Sequence, residues 1–279
     1  MTYRLLALDL DGTTIAPDGT VRPATIAAIR RALDHGLLVI FATGRNYAES
    51  KPILDVIGHH PTGIFVGGAV VVETATGEVS HRTGMDPALA VEVVDAVREL
   101  GVSALCLQDG PGQPSYRISG EPPMPFLAWV EAKGVTWETL PGNAVADHAH
   151  TIRVGLLCRP AEGDRIEADL RARLGERVYL HNIEVPYEFN VVEIFDPSVN
   201  KWEGIKHVAA RHDIPAEQII AVGDDRNDLH MIEHAGLGVA MGNAKDEIKT
   251  LADRVIGTNA DDGLAAFIHQ VIDEHLLTQ

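Results

Sequence analysis

The stretch LLALDLDGTT, residues 5–14, decides how this chain is read. Its unbroken apolar run is the pattern of a strand covered on both faces. The run ends in two aspartates, Asp9 and Asp11, with one leucine between them, and then Gly12, Thr13 and Thr14. Two carboxylates at the tip of a buried strand raise each other's pKa, and burial adds to the cost of ionising them. Such a placement asks for a compensating positive charge.

The neighbouring segments give that strand its setting. From Pro23 to Asp34, Ile26, Ile29 and Leu33 recur at helical spacing behind a proline suited to a first turn. LLVIFAT (37–43) reads as a second buried strand, and GIFVGGAVVVE (63–73) as a third, broken by two glycines. Strand and helix in this order predict right-handed crossovers and a parallel sheet. The same grammar returns late: a helix over about 201–211, the strand QIIAVGD (218–224), a helix over about 227–235, LGVAMGN (237–243), ADRVIGT (252–258) and a final helix. Between them lie helix-like PALAVEVVDAVREL, SALCLQ, a Pro/Gly-rich loop at 109–125, TIRVGLLC, a helix near 162–174 and RVYLHN. The expectation is an α/β chain. Residues 1–84 and 189–279 form a doubly wound, Rossmann-like parallel-sheet core, and 85–188 form an inserted α+β cap domain.

Composition narrows the partners. Of 279 residues, 46% are hydrophobic and 23% charged, which suits a globular chain. A net charge of −17 repels polyanions, so nucleic acid and anionic membranes are not expected partners. No segment has the length of apolar sequence a membrane span needs, and the N-terminus lacks a signal-peptide pattern. Two cysteines, Cys106 and Cys158, support neither a disulfide framework nor a zinc knuckle, so a cytoplasmic location is expected. Oligomeric state is open.

Four stretches fall where the predicted core strands end: DLDGT (9–13), ATGR (42–45), Lys201, and GDDRND (223–228). Asp9, Asp11 and Asp224 offer hard oxygen ligands that suit Mg²⁺. A bound cation would offset their repulsion and attract a phosphate to an acidic protein. One carboxylate could then attack phosphorus, and the other could serve as acid and base. Gly12 permits a sharp exit from the strand. The Thr43 hydroxyl, the Gly44 amide and Lys201 could hold phosphoryl oxygens. Singly, each stretch has a plainer reading as a turn, a loop or a solvated lysine; their order and shared position at strand ends make the joint signal.

These four stretches, in this order, resemble the haloacid dehalogenase-like superfamily. The large insert and the late GDDRNDLHMIEHAG, VAMGNA and DDG resemble its Cof-type, sugar-phosphatase-like branch. The resemblance implies a Mg²⁺-dependent phosphatase that acts on a small phosphorylated metabolite, a sugar phosphate or phosphorylated cofactor. It implies Asp9 as nucleophile and metal ligand, and Asp11 as acid/base with its backbone carbonyl on the metal. Asp224 becomes the third ligand, with Thr43 and Lys201 on phosphate. Asn227 and Asp228 match positions that bind phosphate or support the metal, and Asn243 matches a loop beside the site. Where such proteins usually read NGA after the third strand, this chain reads GGA at Gly67–Ala69. Arg45 could reach substrate or pair with an acid. Glu184, Tyr187, Glu188 and Asn190, near the return from the insert, could touch the leaving group or form a polar loop. Two other functions fit the residues: a phosphomutase on the same scaffold, and a non-catalytic regulator that binds a phosphometabolite.

Overall fold

The computed structural model describes residues 3–109, 114–142, 144–184 and 189–274. The chain divides into two compact units, one of 1–82 with 200–279 and one of 83–199.

The first unit opens with β1 (Leu5–Leu8), α1 (Pro23–Asp34), β2 (Leu38–Phe41) and α2 (Tyr47–Ile57), followed by β3 (Thr62–Phe65), β4 (Val70–Glu73) and β5 (Glu78–Arg82). All four side chains of β1 are buried. GIFVGGAVVVE is not one interrupted strand. β3 and β4 are antiparallel, Phe65 opposite Val70, and Val66–Gly68 form the turn between them. Val66, Gly67 and Gly68 all have left-handed backbones, with φ of 52°, 66° and 113°. Three such residues in succession reverse the chain, which glycine allows and a β-branched valine does only under strain.

The second unit runs α3 (Pro87–Glu99), β6 (Ala104–Gln108), β7 (Tyr116–Ser119), α4 (Met124–Lys133), β8 (Trp137–Thr139), β9 (Thr151–Cys158), α5 (Pro160–Leu174), β10 (Tyr179–Glu184) and β11 (Asn190–Phe195). Its sheet has the order β10-β11-β9-β6-β7-β8. Cys106, Val154, Leu156, Val192 and Ile194 pack with Val93, Val97, Ile166 and Leu170 of α3 and α5. The return to the first unit comes at 200, later than the boundary at 189 expected from sequence. The physical reason is pairing: β11 lies antiparallel between β10 and β9 and completes this sheet. Within the expected Pro/Gly loop, Tyr116–Ser119 pairs with β6, Leu107 opposite Tyr116.

The first unit resumes with α6 (Lys201–Ala210), β12 (Ile219–Gly223), α7 (Leu229–His234), β13 (Leu237–Ala240), α8 (Asp246–Leu251), β14 (Arg254–Val255) and α9 (Gly263–Asp273). Its parallel sheet has the order β14-β13-β12-β1-β2, and Ala42 bridges in parallel to Ile64 of β3. From β1 the chain builds outward through β2 to β3; after the insert it returns to the opposite side of β1 and builds through β12, β13 and β14. The strand order therefore reverses between β1 and β12, and loops diverge from their carboxyl ends there, the position at which open α/β sheets bind ligands. Helix α9 packs on α1, while α6 and α7 pack together. Among the described residues no helix is long and apolar enough to cross a membrane.

Gly68 holds the hairpin turn against the start of α6: a Cβ there would lie 2.0 Å from the Asn200 carbonyl oxygen. Gly68→Ala combines that collision with a left-handed backbone, so urea unfolding should show a loss of about 1–3 kcal/mol.

Candidate active site

Asp9 leaves β1 with an extended backbone and enters a widened turn, Leu10–Thr14, closed by the Ile15 N–H donating to the Leu10 carbonyl at 2.8 Å. Gly12, at φ 74°, makes the turn. A Cβ on it would sit 2.1 Å from Asp224 Oδ2, so glycine is required both for conformation and for the close approach of Asp224. Thr14 Oγ1 donates to the Asp9 carbonyl (2.6 Å), and Thr13 Oγ1 donates to Asp224 Oδ1 (3.0 Å). Asn243 Nδ2 donates to the Gly12 carbonyl at 2.8 Å. Asn259 anchors the same turn: its Nδ2 donates to the Ile15 carbonyl (2.8 Å) and its N–H to Asn243 Oδ1 (3.0 Å). Nothing in the sequence near Asn259 singled it out, because its partners lie far away along the chain.

Lys201 is the first residue of α6, whose N-terminus is capped by the Asn200 side chain accepting from the Glu203 N–H. The lysine is fully buried, and its Nζ donates to Asp9 Oδ1 and to Asp228 Oδ1, both at 2.6 Å. Asp228 is also fully buried. Its other oxygen accepts the N–H groups of Asp224 (2.8 Å) and Asp225 (3.1 Å), which fixes the loop after β12. Gly223 makes room for it, since a Cβ there would lie 2.3 Å from the Asp228 carboxyl carbon. Asp9, Asp224 and Asp228 each place a carboxylate oxygen within 4.8 Å of the others.

Of the ligands expected from sequence, Asp9 and Asp224 fall in this carboxylate cluster, while Asp11 was expected to reach the metal through its backbone carbonyl. The Asp11 carboxylate is exposed and lies in a bidentate pair with Arg45, whose Nε and Nη2 donate at 2.7 and 2.6 Å. The side chain that completes the cluster is Asp228. Its burial depends on tertiary contact with Lys201, whereas in sequence it is one of three similar aspartates in GDDRND.

Thr43 is fully buried; its Oγ1 accepts from the Arg45 N–H at 3.1 Å, and its carbonyl accepts from the Gly67 N–H at 3.0 Å. Gly44 lies beside Asn227, whose Nδ2 would be 3.6 Å from a Cβ at that position. The structure thus brings Thr43, Gly44, Asn227, Lys201 and the aspartates to the same sheet edge. At Gly67 the left-handed φ of 66° is one that both glycine and asparagine adopt readily. The GGA for NGA replacement therefore keeps the backbone while removing an amide. Asn190 lies in the second unit, buried, its Nδ2 donating to Asn182 Oδ1 at 3.2 Å. Tyr187 and Glu188 lie outside the described residues, as does the side chain of Glu184.

The electrostatics reflect crowding. Burial, only partly opposed by Lys201, pushes Asp9 well above the usual carboxylate range, and repulsion from Asp228, Asp224 and Asp11 adds to it. Burial and then Asp228 push Asp224 up to about 7. For Lys201 burial acts to lower the pKa, but Asp228 and Asp9 together raise it, so the ammonium stays charged. Three carboxylates against one ammonium leave two negative charges in excess when all are ionised. An all-oxygen donor set with that excess fits one hard divalent cation.

Comparison with known proteins places this geometry. A family model described as haloacid dehalogenase-like hydrolase matches residues 6–268. The chain is 28% identical to the 5-amino-6-(5-phospho-D-ribitylamino)uracil phosphatase YitU of Bacillus subtilis, covering 95% of this chain and 96% of that one. It is also 28% identical to the pyridoxal phosphate phosphatase YbhA of Escherichia coli, covering 96% and 98%. A haloacid dehalogenase-like hydrolase from Bacteroides thetaiotaomicron has the same fold, with a TM-score of 0.77, 20% identity, and 97% of this chain and 100% of that one covered.

Two outcomes follow from the charge cluster. Lys201→Met leaves Asp9 and Asp228 buried without their counter-charge and should cost about 3–5 kcal/mol in denaturant unfolding at neutral pH. In the metal-free protein Asp224 keeps its proton to about pH 7, whereas the unfolded side chain ionises near 4. Between those values the folded state binds more protons, so stability falls as pH rises. In EDTA the Tm should drop from pH 5 to pH 8, and a divalent cation should raise it more at pH 8 than at pH 5; a cation effect equal at both would contradict the assignment.

Proposed function

The chain belongs to the haloacid dehalogenase-like hydrolase family, as a phosphoric monoester hydrolase of its Cof-type branch, and we propose that it hydrolyses a small phosphorylated metabolite through a phosphorylated Asp9, with Mg²⁺ bound. One observation carries this reading: a fully buried lysine bonded at 2.6 Å to two aspartates at the switch point of a parallel sheet.

Asp9 and Asp224, with the Asp11 backbone carbonyl, would hold Mg²⁺, and the Asp228 carboxylate stands beside them in the same cluster. Bound there, the ion supplies positive charge that polarises the phosphoryl group and lets the carboxylates ionise.

The protein's own groups then divide the work. Lys201 engages Asp9 Oδ1, so Asp9 Oδ2 is the oxygen that attacks phosphorus while the ester P–O bond breaks. An ammonium has three N–H donors, and Asp9 and Asp228 take two, which leaves one for a phosphoryl oxygen. Thr43 Oγ1 accepts from the backbone at Arg45 and so keeps its own proton to donate. The Gly44 N–H and the Asn227 amide complete the cradle, where charge spreads over the transferring group. Asp11 protonates the departing oxygen, then takes the proton of the water that cleaves phospho-Asp9. Both Asp11 oxygens are now held by Arg45, so the guanidinium must release at least one before Asp11 can carry a proton. The supporting residues Gly12, Asn243 and Asn259 fix the turn that aims Asp11.

The second unit, residues 83–199, is the candidate for recognising the organic part of the substrate. The relatives named for a phosphoribitylamino-uracil and for pyridoxal phosphate favour a sugar phosphate or a phosphorylated cofactor.

Inorganic phosphate release from a panel of such esters tests the reading. Release should require Mg²⁺, stop in EDTA and be absent in Asp9→Asn. Asp11→Asn should lower kcat roughly 10²–10⁴-fold with the protein still folded. Arg45→Gln should cost less, because it positions the acid without carrying the proton. Release that persists in Asp9→Asn would remove the covalent step.

A further inference from the structure

A second cluster of metal-ligating side chains lies on α7, apart from the aspartates. His230, Glu233 and His234 each offer one ligand atom, and these atoms lie within 4.8 Å of one another. Spacing explains the convergence: residues three and four apart share one face of a helix. The two imidazoles are close to parallel, with ring centroids 6.1 Å apart and an interplanar angle of 22°. Glu233 stands beside His234, carboxylate to Nε2 at 4.0 Å. Both are about half exposed, so a hydrated ion can reach them.

We propose that His230, Glu233 and His234 bind a borderline transition-metal cation of the Zn²⁺, Ni²⁺ or Cu²⁺ class, at a site separate from the aspartate cluster. Donor chemistry separates the two sites. Two imidazoles and one carboxylate match the nitrogen-rich preference of these metals, while the all-oxygen aspartate cluster matches Mg²⁺. Metal–nitrogen distances of about 2.0–2.1 Å need only small side-chain rotations from the present spacing. Three protein ligands leave coordination positions for water or an outside ligand. A metal here would cross-link one turn of α7, the helix that begins directly after Asp228.

The fold supplies its own reporter. The Trp202 indole lies 6.0 Å from the His234 ring and is buried next to Lys201 in α6. Ni²⁺ or Cu²⁺ bound at His234 should quench Trp202 fluorescence strongly, as paramagnetic ions do at short range.

The test is a titration of the full chain with NiCl₂, read by tryptophan fluorescence, with Mg²⁺ present in excess to fill the aspartate cluster. Saturable quenching at micromolar Ni²⁺ is expected. It should weaken at least tenfold in His230→Ala and in His234→Ala, vanish in Trp202→Phe, and persist unchanged in Asp224→Asn. Phosphate release with Mg²⁺ alone should be the same in the two histidine variants as in the parent, which reports that they are folded. Quenching that survives in His230→Ala/His234→Ala, or that disappears in Asp224→Asn, would overturn the proposal. So would the absence of saturation below millimolar Ni²⁺. None of the quenching readouts depends on phosphatase turnover, so the proposal and the functional reading can fail separately.

Discussion

The buried ammonium of Lys201 is the interaction on which the rest depends. A fully buried lysine is costly unless every donor finds an acceptor and its charge finds a partner. Here two carboxylates supply the counter-charge and accept two of the three N–H groups, one from the end of β1 and one from the loop after β12. Those carboxylates are buried in turn, and either would be costly without the lysine. The pairing ties three chain segments together, at 9, 201 and 228, across the middle of the parallel sheet.

That constraint sets the surrounding backbone. Gly12 and Gly223 are glycines because the Asp224 and Asp228 carboxylates occupy the space where a Cβ would stand. Gly68 is a glycine because the start of α6 lies on it, and that start is where Lys201 begins. Asn243 and Asn259 brace the Gly12 turn from a loop more than two hundred residues away. The site is therefore a set of tight backbone approaches as much as a set of functional groups. Its electrostatics remain unbalanced by two negative charges when ionised, which is why burial and repulsion hold Asp9 and Asp224 above the usual carboxylate range. A divalent cation and a phosphate dianion can share such a site because each offsets the charge the other brings.

The second unit follows different rules. Its mostly antiparallel sheet, in which only the β7–β8 pair among the described strands is parallel, buries one face under α3 and α5, and β11 completes it only after the chain has travelled from β9 through α5 and β10. Arg153 and Glu193 pair from adjacent strands on the opposite face, with little exposure. A buried ion pair of this kind does little for stability and more for specifying register.

Local pattern was enough for part of this. The α1 bounds, Pro23–Asp34, follow from periodicity and a first-turn proline, and the buried β1 from its unbroken apolar run, because both signals lie within a few residues. The order of four short motifs sufficed for the family and for the convergence of Asp9, Thr43, Lys201 and Asp224 at one end of the sheet, since strand ends in a parallel sheet fall on one edge whatever the loop details. Tertiary structure decided the remainder. GIFVGGAVVVE became a hairpin because three left-handed residues reverse it, a backbone state that sequence alone does not reveal at Val66. Asn190–Phe195 joined the inserted sheet because edge pairing with β9 and β10 is long-range. Asp228 rather than the Asp11 side chain entered the charge cluster, because which aspartate is buried depends on where Lys201 and Arg45 arrive from elsewhere in the chain.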